Sequence, residues 1–89
     1  MIMRSTNEYV LLLSCSDVRG IVHAVTGFLA IHECNILDSM QHGDSSTGTF
    51  CMRIHFISDA AGLAVEEMRE KFGGIADKFQ MKWQIFDLR

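Results

Sequence analysis

The stretch Leu11-Leu-Leu-Ser-Cys-Ser-Asp-Val-Arg-Gly-Ile-Val22 constrains this chain more than any other. An apolar run stops at Ser14, a short polar loop ends in Gly20, and a second apolar pattern then starts with helical spacing. A strand, a tight turn and a helix start therefore follow directly on one another. Gly20 permits backbone angles and close approaches that a Cβ would block. Asp17 is placed to accept hydrogen bonds from the free N–H groups of the first helical turn. Those N–H groups also suit a small anion, such as the carboxylate of an amino acid. A ligand site on this chain is expected to begin at this corner.

The rest of the chain arranges itself around that corner. Residues 1–7 read as a loose lead-in, and 8–89 as one domain. Glu8 to Ser14 is the first strand. Tyr9, Leu11 and Leu13 share one face and Val10 and Leu12 the other, and apolar residues on both faces mark a central strand. Arg19 to Glu33 is the first helix, with Ile21, Val25, Phe28, Leu29 and His32 in one stripe. Gly27 costs it about 1 kcal/mol relative to Ala, which points to a close approach to the sheet. Asn35 suits the turn into the second strand, which runs to His42. Ile36, Asp38 and Met40 are expected on one face of it, and Leu37, Ser39 and Gln41 on the other. It is the most polar strand and reads as an edge.

Residues 43–48 form a hairpin loop on composition. Thr49 to Ile57 is the third strand, with Phe50, Met52, Ile54 and Phe56 inward and Thr49, Cys51, Arg53 and His55 outward. The outward face is not greasy, so it is expected to be wet or to meet a polar partner. Ser58-Asp59 reads as a helix cap, and the second helix as Ala60 to Asp77. Val65, Met68, Phe72, Ile75 and Phe79 keep helical spacing, while Gly73-Gly74 should bend or interrupt it. Met81 to Asp87 is the last strand, with Met81, Trp83 and Ile85 on one side.

The order β-α-β-β-α-β with right-handed crossovers predicts an α+β, ferredoxin-like sandwich. The expected sheet is four-stranded and antiparallel in the order 4-1-3-2, with both helices on one face and the other face bare. A chain of 89 residues buries about 60–65% of its unfolded surface, so its own core is modest. With 48% apolar residues, some apolar surface is expected to be kept for a partner.

Several function classes are excluded on composition. A formal charge of -3 with no basic run leaves no nucleic-acid footprint. No apolar stretch approaches the roughly 18–20 residues of a membrane span. The first eight residues are too polar and short for a secretory signal, and the cytoplasm is the expected location. Cys15, Cys34 and Cys51 form no CxxC pair, and an odd count reads as reduced, small buried hydrophobes. His23, His32, His42 and His55 lack the spacing of a zinc site, so no metal is expected. No serine elbow, no phosphate-cradling loop and no carboxylate partner for Asp38 is present, so no cofactor and no catalytic constellation is expected.

Asp17-x-x-Gly20-Ile-Val22, a helix, and then Asn35-Ile36 resemble the ACT domain, a ligand-sensing module of amino-acid metabolism. Ser14 to Val22, Val25-Thr-Gly-Phe-Leu29, Asn35-Ile-Leu-Asp38, Gln41-His42, Gly48 to Ile54 and Phe79 to Ile85 resemble more closely the N-terminal ACT domain of formyltetrahydrofolate deformylases. The likeness runs from Tyr9 onward. Two departures stand out: Arg19 occupies a position where that family usually has Pro, and Gly73-Gly74 falls in a helix that is usually smoother.

The resemblance implies a ligand held between two subunits, touched by Cys15, Ser16, Asp17, Val18, Arg19, Gly20 and Asn35. Asn35 would bond an amino group or a carboxylate, Asp17 would pair with an ammonium, and Arg19 would take a carboxylate bidentately. Asp17 as a cap and Asn35 as a turn residue are the plain alternatives. The resemblance also implies a parent protein that hydrolyses 10-formyltetrahydrofolate to tetrahydrofolate and formate, in one-carbon and purine metabolism. Its formyltransferase-like hydrolase domain, which carries a His-Pro-Ser segment, would follow this chain, since the 89 residues contain no proline. The expected function is a regulatory, non-catalytic module, a homodimer or higher assembled through sheet edges or helices, with methionine or glycine as effector. A ligand-free assembly module is the alternative. A small enzyme, of the kind the same fold hosts in acylphosphatases, is disfavoured by the missing constellation.

Overall fold

A computed structural model of the chain describes residues 6–59 and 64–88. The elements are β1 (Thr6–Ser16), α1 (Ile21–Ile31), β2 (Asn35–Asp44), β3 (Thr49–Asp59), α2 (Val65–Phe79) and β4 (Lys82–Asp87). The sheet runs β2-β3-β1-β4 and every pairing is antiparallel. This is the expected ferredoxin-like arrangement, with β1 and β3 at its centre. These two strands pair over their full length, from Thr6 opposite Asp59 to Ser16 opposite Thr49.

One face of the sheet makes the core. Tyr9, Leu11, Leu13 and Cys15 from β1 and Phe50, Met52, Ile54 and Phe56 from β3 point into it, as their alternation predicts. Helix α1 supplies Ile21, Val25, Phe28 and Leu29, and α2 supplies Met68, Phe72 and Ala76. Phe72 joins the layers: its ring meets Phe28 edge-on at 5.3 Å and Trp83 at 5.0 Å. Both helices therefore lie on the same face. The opposite face is mixed. Leu12 and Phe86 are exposed there, beside Arg53–Asp38 at 3.8 Å and His55–Glu8 at 2.9 Å.

The structure departs from the sequence reading at definite places. Strand β1 begins at Thr6, so Thr6 and Asn7 belong to the sheet and not to a lead-in; residues 1–5 lie outside the described residues. Ser58 and Asp59 are not a helix cap but the last residues of β3, because β1 reaches back far enough to pair with them. Helix α2 starts at Val65, with no side-chain cap and with Glu66 and Glu67 in its first turn, where carboxylates suit the positive helix end. The expected start at Ala60 lies outside the described residues. Gly73-Gly74 does not interrupt α2, which runs unbroken to Phe79. Burial of Met68, Phe72 and Ala76 along one stripe outweighs the propensity lost at two glycines. Gly27 is not a close approach either, since a Cβ there would meet nothing within 4 Å.

Strand β2 carries a bulge. Ile36 pairs with Phe56, but Asp38, not Leu37, pairs with His55. The extra residue switches Ile36 to the helix side with Ser39, Gln41 and Gly43, and leaves Asp38, Met40 and His42 on the open face. All three cysteines are free; Cys15 is buried, but Cys51 is exposed on the open face and is not a core hydrophobe. Among the described residues no helix is long and apolar enough to cross a membrane, and no three metal-ligating side chains gather.

Both helices end on a non-glycine residue in the left-handed region, Glu33 at φ 58° and Gln80 at φ 53°. Nothing lies within 4 Å of a Cβ built on Gly74. Gly74→Ala should therefore stabilise the domain by up to about 1 kcal/mol, and Gln80→Gly by about 1 kcal/mol. Thermal unfolding checks both, since each kcal/mol raises the midpoint by about 4–8 °C in a domain of this size. A lower midpoint for Gly74→Ala would mean that α2 is broken at its glycines.

Candidate functional site at the strand–helix corner and the neighbouring sheet edge

The corner is built as the sequence suggests, but it is held differently. Gly20 is the residue before α1 and sits at φ 94°, a conformation that L side chains rarely adopt. Its carbonyl accepts the Ala24 N–H at 2.9 Å. No side chain caps the helix, so Asp17 does not do what its position suggests. Asp17 instead donates its backbone N–H to the Gly48 carbonyl at 2.8 Å. Its carboxylate lies over Gly43, 3.6 Å from where a Cβ would stand. The corner is thus pinned to the β2–β3 hairpin. Ser16, Asp17, Val18, Arg19 and Gly20 are exposed around it, while Cys15 is buried beneath.

Asn35 is elsewhere. It begins β2 at the far end of α1. The eleven residues of α1 separate it from Gly20 by ~16 Å. Along β2, the hairpin end at Asp44 is ~30 Å away. One protomer therefore does not bring Asn35 to the corner. Asn35 lines a different feature: an open cleft of about 510 Å³ between α1 and β2, with His23, Thr26, Gly27, Cys34 and Ile36. The Thr26 hydroxyl donates to the Val22 carbonyl at 2.8 Å, leaving its oxygen available as an acceptor. Sequence reasoning does not single out these cleft residues as site residues. The signal lies in the spacing of His23, Gly27 and Ala30, which puts a histidine and two small residues on the helix flank nearest β2.

No family model matches the chain. Over 78 residues it is 42% identical to the formyltetrahydrofolate deformylase of Corynebacterium sp. (strain P-1), covering 88% of this chain and 27% of that relative. The crystal structure of the formyltetrahydrofolate deformylase from Burkholderia mallei matches with a TM-score of 0.84 at 34% identity, over 91% of this chain and 28% of that one. An ACT domain protein from Streptococcus pneumoniae shares the fold over 93% of this chain and 91% of its own, with a TM-score of 0.78 at 22% identity. The chain has the ACT-type fold and is similar in sequence to part of the formyltetrahydrofolate deformylases. It spans about a quarter of the length of the curated relatives it matches.

The electrostatics of this domain leave two of its thiols unreactive. Burial pushes the Cys15 thiol up, helped by the Asp17 carboxylate and by Cys51. Burial likewise pushes Cys34 up, against a hydrogen bond from Ser58. Both stay protonated at neutral pH, and the thiol is a poor nucleophile. The corner offers a cation at Arg19 and an anion at Asp17. The cleft offers the Asn35 amide, which can donate and accept.

The hairpin that holds the corner depends on Asp44. Its carboxylate accepts the Ser46 hydroxyl at 2.6 Å and the Ser46 backbone N–H at 2.9 Å. These bonds, the hydroxyl's foremost, hold its carboxyl below the ordinary value of 3.8. A lowered folded value means the turn is stabilised fully above pH 3.8, and the stabilisation is lost as pH falls through the lowered value. The Ser46 amide resonance should titrate with a midpoint below 3.8, and Asp44→Asn should abolish that titration. A midpoint at or above 3.8 would contradict the Asp44–Ser46 bonds.

Proposed function

We propose that this chain is a regulatory, non-catalytic ACT module that binds a small amino acid between two copies of itself. The observation that carries this reading is the separation of Arg19 and Asn35 along an edge strand that has no neighbouring strand on its outer side among the described residues. Two copies that pair β2 with β2 about a twofold axis run antiparallel. Each then lays its Asn35 end against the Asp44 end of the other, where the Asp17–Gly48 bond anchors the corner. The Arg19 guanidinium of one copy would take the ligand carboxylate, and Asn35 of the other would bond its amino group. Asp17 is a second partner for the ammonium. Methionine or glycine is the effector this site is proposed to take.

Exposed apolar side chains beside this edge support self-association. Ile31 is 77% exposed at the end of α1, and Met40 is 62% exposed at the middle of β2. Leu37, turned out by the bulge, is exposed between them. Ligand held at such an interface stabilises the paired state over the separated one, which is how a binding event would be communicated. The wider setting is proposed from the relatives. The module would sit beside a C-terminal hydrolase domain in a cytoplasmic protein that cleaves 10-formyltetrahydrofolate to tetrahydrofolate and formate. The same exposed edge also supports the second reading, in which the module only joins subunits.

A thermal-shift series over the twenty amino acids separates the two readings. Methionine or glycine at millimolar concentration should raise the midpoint by several degrees, as expected for ligand well above its dissociation constant. The rise should vanish in Asn35→Ala. No shift for any amino acid would leave assembly alone, and hydrolysis of formyltetrahydrofolate or of an acyl phosphate by the 89-residue protein would overturn the non-catalytic reading.

A further inference from the structure

A four-stranded open sheet has two edges, and here they are treated differently. The phase of β4 follows from one bond, Leu88 N–H to the Glu8 carbonyl at 3.0 Å. In an antiparallel ladder the bonded pairs alternate. Lys82, Gln84 and Phe86 therefore turn their backbone groups to β1, and Trp83 and Ile85 turn theirs to the free edge. The outward Ile85 carbonyl is occupied. Arg69 of α2 donates to it twice, from Nη2 at 2.8 Å and from Nε at 3.3 Å. The third nitrogen, Nη1, is held by Glu66 Oε1 at 3.1 Å. The guanidinium thus lies in the shallow groove of Arg69, Trp83, Gln84, Ile85 and Phe86 that borders the strand, where an incoming strand would have to lie.

Edge β2 has no such guard among the described residues. The Thr47 hydroxyl approaches the Asp44 carbonyl at 3.5 Å, but this bond sits at the turn, beyond the stretch from Asn35 to Gly43 that a second strand would meet. Unpaired edges invite pairing with another chain, and a charged side chain over the edge is a known way to prevent it.

We propose that Arg69 closes the β4 edge, so that sheet-to-sheet association of this chain proceeds through β2 alone and stops at a closed pair. This rests on the reading of β2 as the pairing edge. With β4 open as well, each copy would offer two unlike edges, and association would continue without closing. With β4 shut, two copies join their four-stranded sheets into one continuous sheet whose two outer edges each carry an Arg69. The bond also ties α2 to β4, so Arg69 serves packing and specificity together.

The test is the mass of Arg69→Met, compared with wild type by sedimentation equilibrium over a concentration series. Methionine keeps an apolar stem and removes all the donors. The variant should exceed the wild-type limiting mass by about twofold or more. Its Trp83 and Ile85 amides should gain protection from hydrogen exchange. Arg69→Lys, which keeps a charge over the edge, should stay at the wild-type mass. Should Arg69→Met fail to fold, Arg69→Gln is read in the same way, since it cannot fork onto a carbonyl. An unchanged mass with unchanged Trp83 and Ile85 exchange would overturn the proposal. Gln41→Pro in β2 tests the underlying reading separately, because the Asp17–Gly48 bond sets a ladder phase in which the Gln41 N–H faces the free edge and not β3. Loss of the wild-type assembly in that variant supports β2 pairing and its persistence refutes it, while the Arg69 comparison is still read from the difference in mass.

Discussion

The pairing of β1 with β3 is the constraint on which the rest depends. Eleven residues of each strand are in register, and their alternation gathers the bulk of both strands' apolar side chains on one face. Tyr9 and Phe56, directly opposite one another, meet as tilted rings at 5.4 Å at one end of that row of apolar side chains. With the two central strands settled, the helices have one greasy surface to cover, and Phe28 and Phe72 meet above it. The same register brings the end of β1 level with the start of β3. That is why the loop after Ser16 and the turn before Thr49 lie side by side, and why Asp17 can bond Gly48. The corner is a consequence of the ladder rather than of its own residues.

The sheet is polarised across its width. On the β4 side, a long side chain from α2 reaches over and occupies the outward carbonyl. On the β2 side, α1 stops short: the helix-facing residues Ser39, Gln41 and Gly43 bury nothing, and all ten residues of the strand are exposed. A cleft remains between α1 and β2 where a larger side chain than Gly27 would begin to fill it. An unguarded edge, a cleft beside it and a pinned corner at its other end are the parts from which a site shared between two copies would be assembled. The thiols nearby, buried Cys15 and half-buried Cys34, are held protonated.

Much of the fold was legible. Period-two alternation in β3 and the stripes of both helices give the core almost residue for residue, because burial selects apolar side chains at fixed spacing. What was missed depends on partners distant in sequence. Ser58-Asp59 has the chemistry of a cap, and only the length of β1 draws it into the sheet. The bulge at Leu37 is one extra residue, which alternation cannot register but which reverses the face of Ile36. Glu33 and Gln80 take left-handed conformations without being glycine, because each helix end is closed by backbone bonds from the next residue, Cys34 to Leu29 and Met81 to Ala76. For the candidate site, the corner residues could be recognised as a group, but a motif carries no distance. The helix expected between Arg19 and Asn35 already implied their separation, but the Asp17–Gly48 bond that fixes the corner at the other end of β2 joins residues distant in sequence.

That separation is the most testable part of the account. Arg19→Ala and Asn35→Ala, each purified alone, should fail to bind methionine or glycine in calorimetry, since every shared site then lacks one half. Mixed in equal amounts and allowed to exchange, they should recover about a quarter of the wild-type sites, because half the pairs are mixed and each mixed pair has one intact site of its two. No recovery on mixing, or full binding by either variant alone, would contradict a site shared between two copies.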